Sequence, residues 1–147
     1  MFKNILVPTD GSALSRKAAQ QAARLAKSVG ARLTAFHVAP AYRYNIYADY
    51  IPPDFEAPKA YAARVKKVAE RHLDAIAKIA QKAGVRCAAS YVTSDFPADA
   101  ILKAAKKHRC DAIAMATHGR SGIAKLLLGS ETTKVLANSR LPVIVLR

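Results

Sequence analysis

The chain has 147 residues, with 24 Lys and Arg against 10 Asp and Glu, for a formal charge of +14. A chain of roughly 150 residues buries about 68–70% of its unfolded surface, so one domain with a full core is expected over 1–147, without disulfide or metal staples. Hydrophobic residues make up 52%, which excludes bulk disorder, and the positive excess points toward an anionic partner without identifying it.

The opening run Ile5-Leu6-Val7 is too short for a signal-peptide core, and no stretch approaches the ~18 apolar residues of a membrane span. A cytoplasmic protein is expected. The same run reads as the first strand. Leu14, Ala18, Ala22, Leu25 and Val29 then recur at helical steps, and Gly30 ends that helix. Leu33 to Val38 forms a second strand. From Pro40 to Pro58 the chain is irregular and rich in Tyr and Pro, long enough to suggest a functional loop, either a lid or a partner surface.

A second helix is predicted from Lys59 to Ala83, with a stripe of Tyr61, Val65, Val68, His72, Ile76, Ile79 and Ala83, and Gly84 as its cap. Val85 to Val92 is the third strand. Pro97 opens a third helix that runs to His108, and Asp111 to Ala116 is the fourth strand. A glycine-rich loop from Thr117 to Gly129 leads into a helix from Ser130 to Asn138. Pro142 to Leu146 is the fifth strand. Cys87 and Cys110 lie outside any metal or redox spacing and read as small core hydrophobes.

Strands alternating with helices imply βαβ units, hence a three-layer α/β domain with a mainly parallel sheet. In a doubly wound arrangement the switch point lies between the first and fourth strands, and ligands bind beyond the carboxyl ends there. Two segments would meet in that crevice: Pro8-Thr9-Asp10-Gly11-Ser12 and Ala116-Thr117-His118-Gly119. Three of the six glycines, Gly119, Gly122 and Gly129, cluster after the fourth strand. Such a cluster lets backbone N–H groups converge on an anion, and Gly129-Ser130 opens a helix whose positive end also favours phosphate. The same glycines would equally serve a plain turn, with Ser130 as a simple cap.

The segments Asn4-Ile5-Leu6-Val7-Pro8-Thr9-Asp10-Gly11-Ser12, His37-Val38, Met115-Ala116-Thr117-His118-Gly119-Arg120-Ser121-Gly122 and Leu127-Leu128-Gly129-Ser130 together resemble the universal stress protein family across essentially the whole chain. Its ATP-binding branch carries Gly, two residues, Gly, nine residues, Gly, then Ser or Thr. Here Gly119, Gly129 and Ser130 match, while Ala116 stands where the first glycine belongs and adds one methyl group.

That resemblance implies a Rossmann-like, doubly wound five-stranded parallel sheet in the order 3-2-1-4-5. It also implies ATP or AMP, with Mg²⁺ as an accompanying ion. Adenine would lie near Asp10 and the backbone of Val38, with Pro8 and Thr9 along the adenosine. Ala116 would face the ribose, and Gly119, Gly129, Ser130 and the Glu131 N–H would hold phosphate. The Glu131 side chain carries the wrong sign for phosphate and should turn away. Asp10 suits a ribose hydroxyl, an adenine amino group or the divalent ion, and alternatively caps the first helix. Arg120 and Lys125 adjoin the phosphate loop, as do His118 and Gly122.

His118 has no evident carboxylate orienter in the sequence, so no catalytic residue is assigned and at most slow ATP hydrolysis is expected. The apolar fifth strand, 142–146, suits a homodimer interface. No acidic cluster of a phospho-acceptor receiver domain is present. Neither stacking aromatics nor a helix-turn-helix supports nucleic-acid binding. The competing reading is a family dimer that binds no nucleotide and works through protein contacts alone, which Ala116 favours. Most of the positive charge is expected on outer helical faces remote from the crevice.

Overall fold

In the computed structural model, which describes residues 1–43, 51–118 and 128–147, five parallel strands form one sheet. Strand β1 (Asn4–Pro8) lies at its centre, with Ile5, Leu6 and Val7 wholly buried. It pairs in parallel with β2 (Arg32–Ala39) through Ile5 and Leu33, and with β4 (Ala112–Ala116) through Ile5 and Ala112. Strand β3 (Cys87–Thr93) adds outside β2 and β5 (Val143–Leu146) outside β4, giving the expected order 3-2-1-4-5.

Side-chain alternation along β1 divides the core in two. Ile5 and Val7 pack with α1 (Ala13–Val29) and α2 (Pro58–Lys82), whereas Leu6 packs with α3 (Pro97–Lys107) and α4 (Ser130–Asn138). The helices after β1 and β4 therefore leave on opposite faces, and the switch point falls between those two strands. Helix α1 approaches the sheet through Ala18, Ala19, Ala22, Ala23 and Ala26, whose small side chains admit a close contact, while the expected stripe residue Leu14 is 38% exposed. Ser12 caps this helix by accepting the Ser15 N–H at 3.1 Å, a contact of about 1 kcal/mol.

The α2 stripe is rotated from expectation. Val65, Ala69, Leu73, Ile76 and Ala80 are buried, while Val68, His72 and Ile79 are half-buried at its margin. Strand β3 starts at Cys87 rather than Val85, because the Val85 N–H closes the end of α2 on the Ala80 carbonyl at 2.9 Å. Cys110 is buried and Cys87 half-buried, and burial raises both thiol pKa values, so neither is an activated nucleophile. No helix among the described residues is long and apolar enough to cross a membrane.

Candidate functional site

Beyond the carboxyl end of β1 the chain turns sharply into α1. Thr9 is buried, and its hydroxyl accepts the Gly11 N–H at 3.1 Å and bonds the Ser15 hydroxyl at 3.0 Å. Asp10 Oδ1 accepts the Ser12 N–H at 2.9 Å. Asp10 thus shapes the turn, and the side-chain cap of α1 comes from Ser12 rather than from Asp10. Gly11 takes φ +78°.

Two histidines converge on this turn. His37, buried near the end of β2, meets the Thr9 carbonyl through Nδ1 at 2.8 Å. A carbonyl only accepts, so that nitrogen carries hydrogen. His72, projecting from α2, stands edge-on to His37 with ring centroids 4.8 Å apart. A Cβ on Gly11 would lie 2.3 Å from His72 Nε2, so the His72 ring rests directly on the glycine backbone. Sequence reasoning placed His72 on a core stripe; the structure makes it a wall of the crevice.

A cleft of about 910 Å³ opens here, lined by Asp10, His37, Val38 and His72 at its inner end and by Tyr42, Tyr61 and the 52–56 segment farther out. Asp10 and Val38, expected near adenine, share it. Pro8 and Thr9, expected along the adenosine, are not among its lining residues. Arg64 and Arg71 of α2 also border it, so part of the α2 charge adjoins the crevice rather than standing remote from it. No group of three or more His, Cys, Asp or Glu among the described residues gathers as a metal site. An ion held by Asp10 would therefore need ligand oxygens to complete its shell.

The outer wall is clasped together. The Tyr42 hydroxyl donates to the Glu56 carbonyl and the Tyr61 hydroxyl to the Pro40 carbonyl. Arg64 donates from Nε and Nη2 to the Glu56 carboxylate at 2.9 and 2.8 Å, and its guanidinium lies 5.1 Å from the Tyr61 ring centre. The hydrogen bond from Arg64 holds the Glu56 carboxyl below its ordinary range. A depressed carboxylate pKa contributes stability that is complete above the unfolded value, about 4.3, and lost as pH falls through the lowered folded value. Near-ultraviolet circular dichroism of the tyrosines should therefore change on acidification into that window, and Glu56→Gln should remove this step. An unchanged step in Glu56→Gln would place the transition elsewhere.

On the β4 side, Ala116 is buried and its carbonyl accepts the Thr132 hydroxyl at 3.0 Å. His118 Nδ1 meets the Thr117 hydroxyl at 3.0 Å. Helix α4 begins after Gly129, which supplies no side-chain cap. The Gly129 N–H is already donated to the Thr117 carbonyl at 2.7 Å, and the first intrahelical bond runs from Thr133 to Gly129. The N–H groups of Ser130, Glu131 and Thr132 consequently have no intrahelical acceptor. The Glu131 carboxylate turns away, accepting the Ala98 N–H at the start of α3 and the Lys134 ammonium, each at 2.9 Å. Gly119, Arg120, Gly122 and Lys125 lie outside the described residues.

The sheet order defines a doubly wound α/β domain, and its cleft opens beyond the carboxyl ends of β1 and β2, walled by α2. The chain matches the Universal stress protein family over residues 1–147, and it belongs to that family. A universal stress protein of Thermus aquaticus is 35% identical over 149 residues, covering all of both chains. Among solved structures, a universal stress protein in complex with cAMP superposes with a TM-score of 0.74 at 23% identity, covering 99% of this chain and 97% of the other. A family protein of Arabidopsis thaliana with AMP bound gives 0.68 at 18% identity, covering 98% and 90%. At these identities the two structures establish a shared fold.

Proposed function

We propose that this chain binds an adenine nucleotide, ATP or AMP, across the switch point and serves as a cytoplasmic stress-response regulator or signalling dimer. The observation that carries the reading is the cleft of about 910 Å³ opening between Asp10 and Val38, large enough for a nucleoside within the ~300–1,000 Å³ range of ligand sites. Adenine lies against Asp10 and the Val38 backbone, and the ribose passes Ala116. Phosphates meet the Ser130 and Glu131 N–H groups and the positive end of α4, with Gly119, Arg120, Gly122 and His118 on the loop side. Asp10 is the residue that would hold a Mg²⁺ ion, which would supply positive charge toward the phosphates. The cAMP and AMP complexes of the two structural relatives support adenine nucleotides as the ligand class. Calorimetric titration of emptied protein tests the reading.

Ala116 and the committed Gly129 N–H favour a second reading, a dimer working through protein contacts alone. If the alanine methyl only crowds the ligand, Ala116→Gly retains or strengthens binding, by up to about 200-fold for one methyl group. Weaker binding in this variant, measured by the same calorimetry, counts against placing the ribose there. Dimerisation is expected through β5, whose four residues remain half-buried at the sheet edge. Light scattering at micromolar concentration should give twice the chain mass; a monomer contradicts the dimer.

A further inference from the structure

The opposite edge of the sheet carries a separate feature. Strand β3 pairs in unbroken seven-residue register with β2 and, among the described residues, has no strand on its outer side. Its backbone direction follows from two bonds: the Arg86 carbonyl accepts the Leu33 N–H, and the Ser94 N–H donates to the Ala39 carbonyl. Residues 86, 88, 90, 92 and 94 thus turn toward β2. Cys87, Ala89, Tyr91 and Thr93 turn their N–H and C=O groups outward.

Sheet edges are ordinarily guarded by charge, proline or a bulge. Cys87–Thr93 contains no charged residue and no proline, and its continuous register contains no bulge. The strand is also poorly covered. Ala88, Ala89, Val92 and Thr93 are exposed, in contrast to the wholly buried β4.

Hollows lie along both faces of this strand. One of about 330 Å³ separates it from α3, with Phe36, Ser90 and Val92 as floor and Lys103 and Lys107 on the far wall; Phe96, 72% exposed, stands at its mouth. The other, about 340 Å³, separates Cys87 from α2 and carries Lys78. Asp99 and Asp74 are the acidic members of these two walls, and His108, whose Nε2 is bonded to Ser90 at 2.9 Å, closes the first. The lysines outnumber the acids beside an uncharged strand.

We propose that the β3 edge is a docking site for an extended acidic segment of a partner protein, added as a sixth strand. Main-chain bonds to Ala89 and Tyr91 hold the segment, an apolar side chain enters beside Val92 and Phe96, and carboxylates meet Lys103 and Lys107. A second copy of this chain is the poorer occupant, because pairing two β3 edges brings like lysine walls together in a chain of charge +14.

Fluorescence anisotropy with a labelled eight-residue peptide of alternating Glu and Val tests this on the full chain. Binding is expected to be saturable and weakened by salt, and absent for the Lys-Val counterpart and for a peptide of equal charge with two Val replaced by Pro. Lys103→Glu combined with Lys107→Glu should weaken it by about tenfold or more. Ala89→Pro, which removes one outward N–H, should do the same, with circular dichroism verifying the fold of each variant. Equal binding of the proline peptide, unchanged affinity in the lysine variant, or no binding of the Glu-Val peptide at millimolar concentration overturns the proposal. So does a chain dimer that Ala89→Pro dissociates, which gives the edge to a second copy.

Discussion

Gly129→Glu should abolish nucleotide binding while leaving the fold intact. Gly129 sits at φ −68° and ψ 154°, backbone that any residue adopts, and its N–H bond to Thr117 survives the substitution. A carboxylate at the start of a helix is also electrostatically tolerated. The new charge stands where the proposed phosphates meet α4. At an effective dielectric of about 20, two unit charges about 4 Å apart repel by about 4 kcal/mol, equivalent to about a thousandfold loss of affinity. Calorimetry should show no detectable heat with ATP, and thermal unfolding should match that of the parent chain within a few degrees. Normal binding in this variant means that phosphate lies elsewhere.

Gly11→Ala should produce the largest loss of stability among single substitutions near the site. Its φ of +78° costs an L-residue about 1–2 kcal/mol. The added Cβ would also fall 2.3 Å from His72 Nε2, forcing the ring off the turn and out of its edge contact with His37. Together these effects come to about 3 kcal/mol. They can be separated by urea unfolding: adding His72→Ala to Gly11→Ala removes the steric share and leaves the backbone share. A double variant no more stable than additivity predicts would show that the ring yields without resistance. The displaced ring also reshapes the cleft, so nucleotide affinity should fall in the single variant.

The contrast between these two glycines shows what the sequence could disclose. Gly11 was legible as part of the crevice segment, but its contact with His72 joins the end of β1 to a helix far along the chain, and periodicity carries no such information. His72 falls at helical spacing with Val68 and Ile76 and so reads as core. In the folded chain, the alanines Ala69 and Ala80 and Leu73 take the buried face, and the helix turns His72 into the crevice. Small residues weigh little in an apolar pattern yet permit the closest packing, which is also why Leu14 was misplaced on α1.

Element order was legible from the alternating strand and helix periods, while the sheet order followed from the family resemblance. The resemblance also placed Val38 beside Asp10, and both line the cleft. The Arg64–Glu56 clasp was not legible, since a salt bridge from a helix to an irregular segment leaves no periodic trace. The charge distribution was legible only in part. Lys66, Lys67, Lys78 and Lys82 are exposed as expected, whereas Arg64 and Arg71 border the cleft and Lys103 and Lys107 border the β3 groove.

The most direct measurement is whether the chain holds an adenine nucleotide. Purified protein is heat-denatured and its supernatant analysed for adenine nucleotides, and the emptied chain is then titrated calorimetrically with ATP or AMP in the presence of Mg²⁺. Saturable binding of one nucleotide per chain, lost in Gly129→Glu, is the result expected. No adenine nucleotide in the supernatant, together with no heat at millimolar ATP and Mg²⁺, would contradict nucleotide binding and leave the protein-contact dimer as the reading to pursue.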